Sequence, residues 1–292
     1  MLDTTDTAAL DPEDTGFQRI KYRTEDDGRI GRITLARPDK RNAQDYRMLH
    51  EIDRAFALAA QDDDVRVVIL DAEGPHFSSG HDLSPSAAND MPTSCSNLVM
   101  SFNGEGALGH MAAEEEFYLG MCWRWRNFPK PTIAQVQGKV IAGGLMLVWP
   151  MDLIIASDDA TFADPVVAFG VNGHEYFTHA WELGARKAKE MLFRSSTLTA
   201  EECRELGMVN HVVARDDLHE FTLGIAREIA ERPVMGTKLA KMAVNQSLDA
   251  QGQWSALQAA FGLHQLGHTH ARVLHGIIVD PSGIDVIRNL SK

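Results

Sequence analysis

The chain is poor in the features that mark several large protein classes. Only three of its 292 residues are cysteine (Cys95, Cys122 and Cys203), far apart and odd in number. That excludes a disulfide scaffold and suits a reducing compartment, so a cytoplasmic location is expected. Basic residues are scarce: 28 Lys and Arg stand against 41 Asp and Glu, a formal charge of −13. Nucleic acid is therefore not an expected partner, because its phosphates call for a broad basic face. A small ligand that carries a nucleotide needs only a local basic patch and stays open. Long apolar runs are also missing. The best, 140–151, falls well short of the roughly 20 residues a membrane span requires. The first residues are polar and acidic rather than basic then apolar, so no signal peptide is expected.

What is present is enough apolar material, 44% of the residues, for one large domain or a core with a smaller appendage. Residues 1–16 carry Asp3, Asp6, Asp11, Glu13 and Asp14 with little to bury, and read as a disordered acidic tail. Two β-rich stretches, 17–22 and 29–35, flank a hairpin turn at Asp26, Asp27 and Gly28. Met48, Leu49, Ile52, Phe56 and Ala59 recur at helical spacing, which predicts an amphipathic helix over 45–60. The run VRVVIL at 65–70 reads as a strand covered on both faces. Residues 84–113 show little pattern and suggest a long surface excursion, followed by a helix over 114–127. Strands are expected at 132–137, 152–156, 161–163 and 208–213, and a helix at 185–193. Thr199 with Glu202 forms a capping box, and Gly207 closes that helix. Beyond residue 216 the pattern is helical, broken at Pro233. Strands thus alternate with helices to about 215, and a helical end, 216–292, follows. No internal repeat is visible.

Several motifs point to chemistry that their context does not support. Gly104, Gly106 and Gly109 match the dinucleotide pattern G-x-G-x-x-G, but no strand is expected ahead of them. His174, Glu175 and His179 resemble a zinc-protease motif, yet the histidines are five apart, roughly 140° off the shared helix face that motif needs. His264, His268, His270 and His275 cluster in sequence without a neighbouring carboxylate or thiolate, so no metal site is expected there. G-x-S-x-G does not occur. Two glycine turns remain: FSSGHDL after 65–70, and GKVIAGG after 132–137. A glycine opening a helix leaves its backbone N–H unobstructed, and two such groups converging would stabilise an oxyanion by several kcal/mol. Each turn, taken alone, is also what any tight strand–helix connection uses.

Six segments in order then resemble the crotonase superfamily, the enoyl-CoA hydratase/isomerase family, across 17–215. They are the run from Arg37 to Ala43; Phe77 to Leu83; Lys130 to Ala134 with Ala142, Gly143 and Gly144; Met151 to Ala156; Phe162 to Pro165; and Thr199 to Val213. The resemblance implies an α/β fold, a crotonase-type spiral of ββα units with a C-terminal helical region that packs between subunits in a trimer, or a hexamer of two trimers. Leu218, Phe221, Ile225 and Ile229 form an apolar stripe consistent with such packing. The resemblance further implies an acyl-CoA thioester substrate with its carbonyl oxygen held by the N–H groups of His81 and Gly143. Coenzyme A, entering as part of the substrate and not as a separate cofactor, would lie along Lys40, Arg41, Ser79, Gly80, Asp82, Leu83 and Gly144, with Lys238 or Lys241 as further counter-charges. No metal or redox group is required.

The same resemblance puts Met146 and Val166 where hydratases carry their two glutamates, and neither side chain moves protons. Other branches of the family place a carboxylate about eight residues after the second position, which lands on His174 with Glu175 next. Glu175 among Phe169, Tyr176 and Phe177 would have a raised pKa if buried, suiting an acid or base; His174 or the His81 side chain are the alternatives. Three functions compete: a hydratase- or isomerase-like enzyme using Glu175, a CoA-ester hydrolase or C–C cleaving enzyme, and a non-catalytic acyl-CoA binder.

Overall fold

The computed structural model describes residues 16–84 and 101–290. The expected acidic tail, apart from Gly16, and residues 85–100 of the surface excursion lie outside the described residues.

Strands β1 (Ile20–Glu25) and β2 (Ile30–Leu35) form the anticipated hairpin, paired from Ile20–Leu35 to Glu25–Ile30. Its turn holds Asp26 and Asp27 at φ 53 and 55, a left-handed conformation that Asp tolerates because its carboxylate bonds locally. Helix α1 (Tyr46–Gln61) starts where Asp45 accepts the Met48 N–H, and it buries Met48, Leu49, Ile52, Ala55, Phe56 and Ala59. Strand β3 (Val67–Ala72) begins two residues later than VRVVIL suggests. Its alternation is functional on both sides: Val68 and Leu70 enter the main core, while Val67 and Ile69 enter a second core beneath the sheet.

Part of the presumed excursion is helical. Helix α2 (Ala107–Glu114) runs through a π-helical segment, Glu115–Gly120, into α3 (Met121–Arg126). It was missed because Gly109, Ala112 and Ala113 make its buried face from small residues, which leave a weak hydrophobic period. Strands β4 (Thr132–Val136) and β5 (Lys139–Ile141) lead into the short α4 (Gly143–Val148); β6 (Leu153–Ser157) and β7 (Thr161–Ala163) follow. Helix α5 (His179–Arg194) starts six residues before the expected 185 and kinks at Gly184 (φ 70, ψ 153). After it come β8 (Thr197–Thr199), α6 (Ala200–Glu205) with the capping box formed, and β9 (His211–Val213). Only the second half of the strand expected at 208–213 pairs. The helical end comprises α7 (Leu218–Ala230), α8 (Val234–Ala250), α9 (Gln253–His275) and α10 (Ile284–Leu290), with Pro233 capping α8 and Gly252 capping α9.

The larger sheet has the order β1-β2-β3-β4-β6-β9, parallel except for the opening hairpin; β5, β7 and β8 form a second sheet. From β4 to β7 the chain alternates between the two sheets, β4 and β6 in the larger and β5 and β7 in the smaller, the winding expected of the spiral. Within the chain most of the α7 stripe packs inward: Leu218 is buried, and Ile225 and Ile229 pack against the sheet face formed by Ile30, Val67, Ile69 and Ile133, while Phe221 stays exposed. Helix α8 buries no residue and exposes Val234, Met235, Leu239, Met242 and Val244, and α9 exposes Leu263, Leu266, Val273 and Leu274. Among the described residues no helix is long and apolar enough to cross a membrane.

Candidate active site

Both glycine turns lie past the C-terminal ends of neighbouring parallel strands, and hydrogen bonds weld them together. The Ser78 N–H donates to Lys139 O (3.2 Å), and the Ile141 N–H donates back to Ser78 O (3.0 Å). Gln44 ties the assembly to the loop before α1. Its N–H donates to Gly80 O, its carbonyl accepts from Asp82 N–H, and its Nε2 donates to Gly143 O, each at 2.8 Å. Close approach dictates the glycines. Gly80 has φ 91, and a Cβ there would lie 2.7 Å from Ile141 O and 3.2 Å from Gly143 N. A Cβ on Gly144 would lie 2.9 Å from Ser78 O. Ala142, at φ 49 and ψ −113, is strained for an L-residue and turns the chain so that Gly143 opens α4. Neither the His81 N–H nor the Gly143 N–H has a backbone acceptor among the described residues; for Gly143 this is the ordinary orphan of a helix start.

The His81 ring lies directly over Gly143, whose Cβ would fall 2.6 Å from Cε1. Tyr118, from the π segment, stacks on the His81 ring at 4.1 Å and 20°, and Tyr46 stacks on Tyr118 in turn. His81 Nε2 lies 3.3 Å from Glu175 Oε2. Glu175 is 4% exposed, yet its pKa goes the opposite way to the sequence expectation. Burial raises it, but His81 and His264 together outweigh burial and hold the carboxyl well below the usual range. The expectation failed because aromatic neighbours were visible in sequence and the two imidazoles were not. Glu175 is thus a carboxylate held ionised.

A second carboxylate, Glu114, lies behind it. Glu175 Oε1 is 3.4 Å from His264 Nε2, which lies 3.9 Å from Glu114 Oε2; His268 Nε2 is 3.4 Å and His110 Nε2 2.9 Å from Glu114 Oε1. Burial raises Glu114, but His110 and His268 bring it down to about 2; burial lowers His264, but Glu175 and Glu114 push it up to about 9. The histidines of α9 were read as lacking carboxylates. Tertiary structure supplies two, from α2 and from the loop before α5.

His174 goes elsewhere. Its backbone N–H donates to Asp164 Oδ2 (2.9 Å), which also meets His179 Nε2 at 2.7 Å, and its ring packs 4.7 Å from His179 and 4.9 Å from Trp149. Burial and the neighbouring His179 push the His174 imidazole down to about 3, so it is neutral. Met146 sits in the core of α4, its carbonyl accepting the Cys122 thiol (3.2 Å), and Val166 opens the short turn Val166–Phe169.

Of the residues assigned to coenzyme A, Lys40 and Arg41 are exposed, and the Arg41 carbonyl accepts the Ser79 N–H at 3.0 Å, beside the first glycine turn. Leu83 is exposed; Asp82 pairs with Arg37 (3.1 Å) and caps Ser84. Lys241 is not available: it pairs with Asp152 (2.8 Å) and donates to Lys130 O, at the N-terminal ends of β4 and β6, the opposite end of the sheet from the glycine turns. Lys238 is exposed on α8. Tyr118, Glu114 and Gln44 were not singled out from sequence. The π segment, a feature frequent at functional sites, carries no sequence signature.

A parallel sheet with paired glycine turns at its C-terminal ends and ionisable groups alongside defines a crotonase-type α/β protein. The enoyl-CoA hydratase/isomerase family model matches residues 25–278, and the chain belongs to that family. It is 47% identical to the Mycobacterium tuberculosis protein named "Putative enoyl-CoA hydratase EchA13", over 87% of this chain and 82% of that one. Enoyl-CoA hydratase domain-containing protein 3, mitochondrial, of Danio rerio is 33% identical over 78% of this chain and 75% of its own. A crystal structure of a probable enoyl-CoA hydratase from Mycobacterium smegmatis superposes with TM-score 0.80 at 48% identity, covering 89% of this chain and 99% of that one. An enoyl-CoA hydratase/isomerase from Xanthobacter autotrophicus Py2 superposes with TM-score 0.75 at 31% identity, covering 93% and 92%.

Proposed function

We propose that the chain converts an acyl-CoA thioester by holding the thioester oxygen between the N–H groups of His81 and Gly143 while Glu175 moves a proton on the acyl chain. The observation that carries this reading is the pair of uncommitted N–H groups on two welded turns beside a buried carboxylate. As the α-carbon loses a proton, or as a nucleophile adds to the β-carbon of an enoyl thioester, negative charge grows on the thioester oxygen, and fixed donors stabilise it without reorganising. Glu175 offers Oε2 toward His81 and the turns, where an α- to γ-carbon would lie. His81, stacked on Tyr118, orients that carboxylate. The exposed Lys40 and Arg41, next to the Ser79 turn, suit the phosphates of coenzyme A. Family membership supports hydratase- or isomerase-type chemistry. The uncovered apolar residues of α8 support assembly into a trimer or a hexamer, which light scattering would measure.

The test is a panel of 2-enoyl, 3-enoyl and aryl CoA thioesters, followed by loss of the conjugated thioester absorbance, by mass and by release of free thiol. Hydration adds one water, isomerisation leaves the mass unchanged, and hydrolysis frees CoA. Glu175→Gln should lower turnover by about 100-fold or more with thioester affinity retained. Full turnover by Glu175→Gln on every thioester the parent converts refutes the role of Glu175, and binding without turnover across the panel refutes the enzyme reading.

A further inference from the structure

We propose that Glu114, Glu175, His264 and His268 bind one first-row divalent metal ion. These four side chains come from α2, the loop before α5 and one face of α9. Each is 8% exposed or less, and one ligand atom from each lies within 4.8 Å of all the others. The imidazoles are fixed from behind. His264 Nδ1 is 2.8 Å from Gly173 O and His268 Nδ1 is 2.6 Å from Ile278 O, so both rings donate to a carbonyl and turn Nε2 toward the carboxylates. That is the outer-shell arrangement that fixes metal-bound histidines. Glu114 is held in the same way, Gln265 Nε2 donating to its Oε2.

Two buried carboxylates need neutralising, either by protons on the imidazoles or by a cation between them. The distances discriminate. A charge-assisted N–H···O bond closes to about 2.7–2.9 Å; His110, outside the four, reaches Glu114 Oε1 at 2.9 Å, whereas within the four the Nε2–oxygen separations are 3.4, 3.4 and 3.9 Å. His264 Nε2 accordingly has no hydrogen-bond partner among the described residues, on a side chain 4% exposed. Ligand bonds of about 2.0–2.1 Å arranged tetrahedrally put neighbouring ligand atoms about 3.3–3.4 Å apart. Two imidazole nitrogens with two carboxylate oxygens suit zinc, cobalt, iron or manganese better than magnesium or calcium. A cleft of about 200 Å³, lined by Gly106, His110, His268 and Arg272 among others, gives an ion a route from solvent. Glu175 would offer Oε1 to the ion and keep Oε2 turned toward His81.

The test uses full-length protein made without a histidine tag, stripped with a chelator, and titrated separately with Zn²⁺, Co²⁺ and Mn²⁺. One equivalent of at least one ion should remain after dialysis, Co²⁺ should show the intense visible bands of a four-coordinate site, and the loaded chain should melt above the stripped one. Glu114→Gln and His268→Ala should bind at least about 10–100-fold more weakly, while His211→Ala, an exposed histidine on β9 away from the cluster, should bind as the parent does. The wild-type measurements need no variant to fold. Failure of the stripped wild-type chain to take up any of the three ions, or parental binding by folded Glu114→Gln and His268→Ala, would overturn the proposal. Ion content is read independently of turnover, so this result stands apart from whether Glu175 is the acid or base.

Discussion

Substituting Gly143 with alanine tests the geometry at the heart of the site. The added Cβ would fall 2.6, 2.8 and 3.0 Å from Cε1, Nδ1 and Nε2 of His81, against an ordinary contact of about 3.5–4.0 Å. The ring is not free to move, because Tyr118 stacks on it at 4.1 Å. Overpacking of this kind costs about 1–3 kcal/mol, or roughly 2–10 °C in Tm for a chain of this size. Gly143 opens a helix and its φ is not among the positive values of the chain, so without the clash alanine would be favoured by about 0.4–1 kcal/mol. The penalty should therefore vanish or change sign in a His81→Ala background. Four proteins, the parent, each single variant and the double, unfolded thermally and in urea, give a coupling energy of about 1–3 kcal/mol in favour of the double variant. An equal cost for Gly143→Ala in both backgrounds, or no cost in the parent, would refute the packing argument.

Trp125 is 1% exposed, stacks on Phe56 at 5.8 Å and donates its indole N–H to Asp53 (2.9 Å), so Trp125→Ala should cost about 3–5 kcal/mol by urea unfolding. Asp45 caps α1 and pairs with Arg19 (2.9 Å) and Arg37 (3.1 Å); Asp45→Ala should cost about 1–2 kcal/mol, read as a lower urea midpoint. Burial raises the Asp164 carboxyl, but His179 and His174 more than offset this and leave it below its ordinary 3.8. The unfolded chain therefore binds more protons in acid, and the Asp164 contribution is complete above about pH 4 and lost as pH falls through the lower folded value. Asp164→Asn should cost on the order of 3 kcal/mol at pH 7, and the gap to the parent should narrow in unfolding curves taken below pH 4.

Much of the frame is local chemistry and could be read directly. Asp45 must cap a helix, Thr199 and Glu202 must form their box, Asp26 to Gly28 must turn, and the glycines at 80, 143 and 144 mark close backbone approach. Those signals come from neighbours within a few residues, so the strand–helix alternation, the paired glycine turns and the six ordered segments that mark the family are legible in the sequence alone. The short strands β5 and β8 have three residues each, too few for a period to show, and they exist because a neighbouring strand offers them a ladder. The small-residue face of α2 was hidden for the same kind of reason: its burial depends on what packs against it.

The site's ionisable chemistry belongs to the tertiary structure. Glu114, Glu175 and His264 are separated by dozens of residues, and no spacing rule links them; only the fold of α9 against α2 and the loop before α5 brings them together. That meeting turned the Glu175 pKa down where aromatic neighbours suggested up, gave carboxylates to histidines that lacked them in sequence, and sent His174 to Asp164 and His179 instead. Backbone donors could be read from glycine because their requirement is local. Electrostatics could not, because charges act through space and the sequence orders residues only along the chain.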